Sequence, residues 1–549
     1  MNLRWYTRAL LAAGSGAALA LSFPKYNLWP LAWVALAMLI LASYRARPAV
    51  SPLYGFLHGL VFYPVGLPWI AGVMEQYGNI DPWTSAGILG LMAIAGGIVC
   101  LFFSLGVALV SKKSRTLPFI LAPFLWVTLE FARTHLPYIG FPWNLSGYAA
   151  SANIALVQLT PITGIWGLSF LIAAYGSFLA YTIVVGRQRL WKAFLVVTAA
   201  LGLIALVGGY FVPRPKPTHY AHLVQTNFPQ SEEYPADWLQ LHAPEMDILE
   251  NISVGSIQAS EIPRNIDTPQ AHDRLIVWPE VPAPFTMQDP AFVQRAQRIA
   301  RESNSDFLVG VVEWNFSPPA KPYATNSAVL LNPAGQQTFR YDKRHLVPFG
   351  EYVPLRNLLT FAKALTTGIG DFSPGTKYSI GELPGGKFGV FICYEAIFPN
   401  EIRRFAKNGA QLLINISNDG WFGRSSAPPQ HLLMARVRAV ESRRWLLRDT
   451  NNGFTVAIDP YGRIVASMPA DERGELDAPY SFRSDITPYV RFGDWLPWLC
   501  LLASIALLVY AAARNSEDRT GEPGTSKLKL EAAKPTRRID GRKTPATRI

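Results

Sequence analysis

Lys387-Phe-Gly-Val-Phe-Ile-Cys393-Tyr-Glu395 is the stretch on which the reading of this 549-residue chain turns. An apolar run, 388–392, stops at a cysteine, and a helical pattern follows near 395–408. A nucleophile at a strand-to-helix turn is accessible, and the first helical N–H groups can polarise a carbonyl beside it. Free cysteine is more commonly a small buried core residue. On this segment alone, packing stands slightly ahead of chemistry.

Two further segments reverse that order. Val277-Trp278-Pro279-Glu280 ends a second apolar run at a carboxylate, with proline closing off further ladder pairing. Tyr341-Asp342-Lys343-Arg344-His345-Leu346-Val347-Pro348-Phe349-Gly350-Glu351 places Lys343 just after a third. Thiol, acid and amine at strand ends make an acyl-transfer set. Glu280 can take the thiol proton, because the thiolate is the nucleophile. Lys343 can steady the oxyanion of a tetrahedral intermediate, worth about 3 kcal/mol for one such donor.

Working outward, short apolar runs at 222–225, 275–278, 307–312, 328–331, 388–392, 412–416 and 454–458 predict buried strands. Patterns near 289–303, 395–408 and 428–447 predict helices. Such alternation gives an α/β layered domain. No internal repeat is present.

The rest of the chain has a different composition. Half of all residues are hydrophobic and 16% are charged, and the apolar ones crowd into the first ~210 positions, which points to a membrane protein. Seven candidate spans precede the polar domain, at 9–24, 28–44, 53–74, 84–110, 117–132, 160–186 and 191–212, and an eighth follows at 495–513. The expected division is therefore 1–212 membrane bundle, 213–494 catalytic domain, 495–513 last span and 514–549 tail. The net charge of +12 sits largely in loops and tail, so topology explains it better than nucleic-acid binding. The tail mixes Lys, Arg, Glu, Pro and Thr without apolar period. It reads as a disordered solubilising end, with proximity to anionic lipid as the alternative.

Arg4 and Arg8, Arg45 and Arg47, Lys112 to Arg115, and Arg187 to Lys192 fall at every second connection, while the connections between them carry little positive charge. Basic loops stay cytoplasmic. The N-terminus is therefore expected inside, and seven spans put 213–494 outside; an even count would reverse this. The first apolar run reads as a retained anchor rather than a cleaved signal. Of three cysteines, Cys100 and Cys500 lie in apolar runs, so the polar domain has only Cys393 and no internal disulfide.

With Asn415-Ile416-Ser417-Asn418-Asp419-Gly420-Trp421-Phe422-Gly423, the Glu–Lys–Cys order and its flanking segments resemble the nitrilase superfamily. Joined to the spans and to Gly140-Phe-Pro-Trp143, residues 1–513 resemble the apolipoprotein N-acyltransferase family. The resemblance implies a four-layer αββα sandwich on a helical bundle in the bacterial inner membrane, facing the periplasm. It implies Cys393 as nucleophile, Glu280 as base, Lys343 at the oxyanion, Glu351 as a supporting carboxylate, and Tyr394 and Glu395 as essential neighbours. Tyr234, after Pro229-Gln230-Ser231, stands where the family often has Trp near the lipid entrance. The implied reaction is ping-pong: a phospholipid, phosphatidylethanolamine by resemblance, acylates Cys393, and a diacylated apolipoprotein amine takes the chain. No cofactor is implied.

Transfer requires water to be kept from the thioester. Candidate lids are 355–372, with Gly368 and Gly370 as hinges, and Trp421-Phe422, for which core packing is equally open. His222, His242, His272, His345 and His431 are scattered without ligand spacing, so no metal is expected. Glu130 and Arg133 can pair with each other or meet a headgroup. The enzymatic rival is a membrane-tethered amidase with water as acceptor; a transporter or sensor would need broken helices repeated in two halves.

Overall fold

The computed structural model describes residues 3–78, 80–136, 140–230, 235, 237–259, 274–316, 322–348, 350–352 and 372–513. Tyr234, His272, nearly all of the 355–372 segment and the 514–549 tail lie outside the described residues.

Asp81 opens the longest helix, Pro82–Lys113. Its carboxylate accepts from the N–H groups of Trp83 (3.0 Å) and Thr84 (3.1 Å), and Lys112 and Lys113 sit at the negative end of the dipole. Leu117–His135, Trp166–Val185, Gln188–Phe211 and Trp495–Ala513 are likewise long and apolar enough to cross a bilayer, making five among the described residues. Ser51–Gly66 and Trp69–Tyr77 add a sixth if taken as one span bent by 51°. Pro68 stands at the break, lacking the N–H that a continuing helix would need. The first two expected spans are helices, Trp5–Leu21 and Pro30–Ser43, but their 17 and 14 residues fall short of the ~20 a span needs. The expected 160–186 span begins only at Trp166, because Gly164 (φ 64°) separates it from a single turn, Thr160–Thr163. At Gly59 a Cβ would lie 2.4 Å from Gly97 Cα, so two helix backbones touch where only small residues fit.

The polar domain is built on two six-stranded sheets. The first runs β12-β1-β2-β3-β4-β5, from β1 (His219–Gln225), β2 (Leu275–Val277), β3 (Asp306–Asn315), β4 (Tyr323–Leu331), β5 (Gln337–Asp342) and β12 (Gly474–Tyr480). The second runs β11-β10-β9-β8-β7-β6, from β6 (Ile380–Leu383), β7 (Gly386–Ile392), β8 (Leu412–Ser417), β9 (Trp445–Thr450), β10 (Val456–Ile458) and β11 (Ile464–Ser467). The central trios β1-β2-β3 and β7-β8-β9 are parallel.

Alternate residues of the first sheet split between two cores. Leu223, Val277, Leu308 and Leu330 meet Val390, Ile414 and Leu446 of the second sheet. Ile276, Phe307, Val309 and Val329 meet Met246, Leu249, Phe292 and Ile299 of helices Ala243–Ala259 and Pro290–Ser303. Helices Pro399–Lys407 and Ala427–Ser442 cover the far side of the second sheet through Ile402, Phe405, Ala435 and Ala439. The four layers are αββα. Strands buried on both faces read as continuous apolar runs, and each of the seven expected strands is found.

The helix expected over 428–447 is corrected. Ala427–Ser442 ends at Arg443 in the left-handed conformation (φ 53°), and 445–450 is β9. Helices often stop with such a residue, but usually it is glycine.

The sandwich sits on the bundle through the same helix. Met434, Val437 and Val440 belong to the core of the bundle. The Trp143 indole donates to Gln430 Oε1 (2.7 Å), and the Gln430 amide donates to the carbonyls of Pro24 and Gly66. Arg438 donates to the Tyr148 hydroxyl (2.7 Å), and Glu441 Oε1 accepts from Ile165 N–H (2.8 Å). Glu130 and Arg133 both turn inward. Glu130 accepts from Ser146 N–H (2.7 Å), and Arg133 donates to the Tyr63 hydroxyl (2.8 Å).

Candidate active site

β7 runs parallel to β8 and delivers Cys393 at its end. A short 3-10 turn, Cys393–Ile397, follows, and the regular helix starts only at Pro399. Cys393 itself has φ 47°, a left-handed conformation that costs an L-residue about 1–2 kcal/mol and turns its side chain out of the ladder. β2 ends at the Glu280 turn beside β3. Gly310 permits that approach, since a Cβ there would lie 2.4 Å from Pro279 O and 2.7 Å from Glu280 Cα. Lys343 follows β5 directly, and its N–H donates to Asn326 O (2.8 Å).

The structure brings Glu280, Lys343, Glu351 and Cys393 together. The Lys343 ammonium, 1% exposed, donates to Glu280 Oε1 and to Glu351 Oε1, each at 2.9 Å. Asn326 Nδ2 donates to the same two oxygens, at 2.8 and 2.9 Å. Glu280 Oε2 accepts from Asn418 N–H (2.9 Å), and Glu351 Oε2 from Val347 N–H (2.8 Å). All these donors are aimed at the carboxylate oxygens.

Burial works against the charge on Lys343, but Glu280 and Glu351 outweigh it and hold the ammonium well above the usual amine range. Burial, reinforced by the Glu280 charge, pushes the Cys393 thiol well above its ordinary value, while Lys343 pulls the other way. The resting sulfur is therefore protonated, and a base must take the proton as sulfur attacks.

Glu395 is a brace. Its Oε1 accepts from the Tyr341 hydroxyl (2.7 Å) and from the N–H groups of Arg344 (2.7 Å) and His345 (3.2 Å), and its Oε2 from Ile392 N–H (2.7 Å). It ties the Lys343 loop to the end of β7, and burial pushes its carboxyl up to about 7 against those donors. Tyr394 is buried, with its ring against Phe398 (5.2 Å) and Phe141 (6.5 Å). Trp421 and Phe422 both pack on the bundle: Trp421 lies on Tyr77 (5.2 Å), and Phe422 on Trp69 (5.2 Å) and Trp143 (6.1 Å). The Tyr77 hydroxyl donates to Gly420 O (2.8 Å), fixing the turn that carries them.

Three contributors escaped the sequence reading. Asn326, buried in the Thr325-Asn326-Ser327 stretch of β4, bridges both carboxylates; among polar neighbours it gave no signal of its own. Asn418 supplies a backbone N–H, which no side-chain pattern reveals. His431 was set among the scattered histidines, yet it is fully buried and bonded to the Cys393 carbonyl.

Residues 239–481 match the family model described as Carbon-nitrogen hydrolase, and residues 15–178 that described as Apolipoprotein N-acyltransferase N-terminal domain. Among solved structures, Nit3 of Saccharomyces cerevisiae, a nitrilase superfamily member, aligns over 49% of this chain and 90% of its own at TM-score 0.35 and 20% identity. The protein named apolipoprotein N-acyltransferase in Geobacter metallireducens is 36% identical over 519 residues, 92% of this chain and 96% of its own. That of Methylococcus capsulatus is 32% identical over 532 residues, covering 94% and 99%. Similarity at this level along both the bundle and the sandwich means that the chain belongs to the apolipoprotein N-acyltransferase family.

Proposed function

We propose that this membrane acyltransferase moves a fatty chain from a phospholipid, through a thioester on Cys393, to the α-amine of a diacylglyceryl-cysteine at the start of an apolipoprotein. The observation that carries the reading is the meeting of Glu280, Lys343 and the Cys393 thiol at three strand ends. The Cys393 sulfur attacks the ester carbonyl as its proton passes to Glu280. Lys343, held charged by two carboxylates, faces the growing negative oxygen. The intermediate collapses, Glu280 returns the proton to the departing glycerol oxygen, and a lysophospholipid leaves. The acceptor amine then attacks the thioester, Glu280 takes its proton, and sulfur leaves to be reprotonated.

Phosphatidylethanolamine is the donor in this reading. Trp421 and Phe422, anchored on the bundle, shield the thioester from water. The enzyme lies in the bacterial inner membrane with the sandwich in the periplasm, as the alternation of basic loops favours.

The test is the intact mass of the purified protein after exposure to phospholipid vesicles, followed by a diacylated peptide. The expected result is one acyl adduct on Cys393, absent from Cys393→Ala, that the peptide discharges as N-acyl product. Discharge as free fatty acid with no acylated peptide would instead favour the amidase reading.

A further inference from the structure

A fully buried histidine, bonded to the carbonyl of the nucleophile itself, has no part in the reaction above. His431 Nε2 lies 3.0 Å from the Cys393 carbonyl oxygen. A carbonyl only accepts, so Nε2 carries the hydrogen and donates it. On its other edge, Nδ1 faces Asp419 Oδ1 (3.2 Å) and Arg448 Nη2 (3.2 Å), and Arg448 is itself paired with Asp419 (2.8 Å). The imidazole is therefore held at both edges, and its ring cannot turn without breaking a buried charge-assisted contact.

Two aromatic rings also pack against it. The Trp143 ring stacks on it at 5.8 Å and 24°, and the Phe422 ring meets it edge-on at 6.0 Å. Trp143 belongs to the loop between two helices of the bundle, and its indole is fixed by Gln430, the residue next to His431. Phe422 is pressed onto Trp69 of the bent membrane segment. The bond it makes falls on the one residue whose backbone is left-handed at the end of β7.

We infer that His431 is a positioning residue for the nucleophile: its Nε2–H holds the Cys393 carbonyl and so aims the thiol, and the bundle keeps His431 in place through Trp143 and Phe422. The thiol is aimed only while the sandwich is seated on the membrane helices. This rests on Cys393 being the acylated residue. His431 touches neither substrate nor the reacting sulfur, and its effect belongs in the rate of acylation rather than in lipid binding.

Three substitutions separate this role from simple packing. His431→Gln can place an amide N–H near the position of Nε2, His431→Asn can reach only the position of Nδ1, and His431→Leu offers no donor. In each, the rate at which the Cys393 adduct appears is measured against phospholipid concentration in vesicles, alongside the melting temperature of the full chain in detergent. The expected result is an acylation rate lowered about 100-fold in His431→Leu and His431→Asn, as for a misplaced reacting group. The phospholipid concentration at half-maximal rate stays unchanged, and His431→Gln recovers most of the loss. Should His431→Leu fail to fold, the Gln and Asn pair, both polar and of similar size, still decides. Equal rates in the Gln and Asn variants, or a wild-type rate in either Asn or Leu, would overturn the positioning role while leaving the thioester intact. A wild-type protein that forms no adduct would overturn the thioester reading, and this inference with it.

Discussion

Lys343 sets one cation between two carboxylates, and Asn326 is the neutral residue that donates to both. Hydrogen bonds to charged groups are worth about 1.5–3 kcal/mol each. In Asn326→Leu both are lost, and acylation of Cys393 in a single turnover should slow at least about tenfold; an unchanged rate would show that Lys343 alone holds the pair. Asp419 offers a test by pH. Although burial opposes its charge, Arg448 and His431 hold its carboxyl below the usual 3.8. A depressed carboxylate takes up its proton in the unfolded chain before the folded one. Its contribution is therefore complete above 3.8 and is lost as pH falls below that value. Asp419→Asn should lower stability by about 3–5 kcal/mol at neutral pH, because it strands Arg448, and as pH falls below about 4 the melting temperature should then drop less steeply than in the wild type. Glu280 and Cys393 were legible in sequence because each ends an apolar run; Lys343 was read as following one, but the strand before it is the alternating, part-exposed β5, and Glu351 was named only through the family resemblance. Asn326 and His431 were not legible, since each acts on a partner 46 or 38 positions away.

β2 and β3 show what a single absent side chain permits. The Glu280 turn reaches the first sheet only because Gly310 has no Cβ. In Gly310→Ala the new methyl meets backbone atoms that cannot rotate away. Overpacking of this kind costs about 1–3 kcal/mol, and because the displaced atoms belong to the base, acylation should drop by more than the melting temperature suggests; an active, normally stable variant would refute the close approach. Strands were legible in proportion to their burial. The central ones, hidden on both faces, appear as unbroken apolar runs. β5, β11 and β12 are partly exposed and alternate or carry charge, as in Gln-Thr-Phe-Arg-Tyr-Asp over 337–342, and no run marks them. β9 was absorbed into the preceding helix because the residue that ends the helix is Arg443 rather than glycine.

The side of the membrane on which the chemistry lies is a property of the whole molecule. On the proposed orientation, with basic connections inside, Arg115 would face the cytoplasm and Arg424 would face outward. On intact cells a membrane-impermeant maleimide should label Arg424→Cys and spare Arg115→Cys until lysis; the opposite pattern would invert the orientation. Span count is where sequence and structure differ most: eight were expected, and among the described residues five helices, or six with the bent pair, have the length and apolarity to cross, because two expected spans are shorter helices and a third is broken at Pro68.

Helix Ala427–Ser442 serves as the outer layer of the sandwich and as part of the core of the bundle, with Ala435 and Ala439 turned one way and Met434 and Val437 the other. Neither body can lose its structure while the other keeps its own, since the element they would have to part along is common property. The soluble half, cut free, would carry an uncovered greasy sole, so solubility and independence are denied to it by the helix that gives the enzyme its footing.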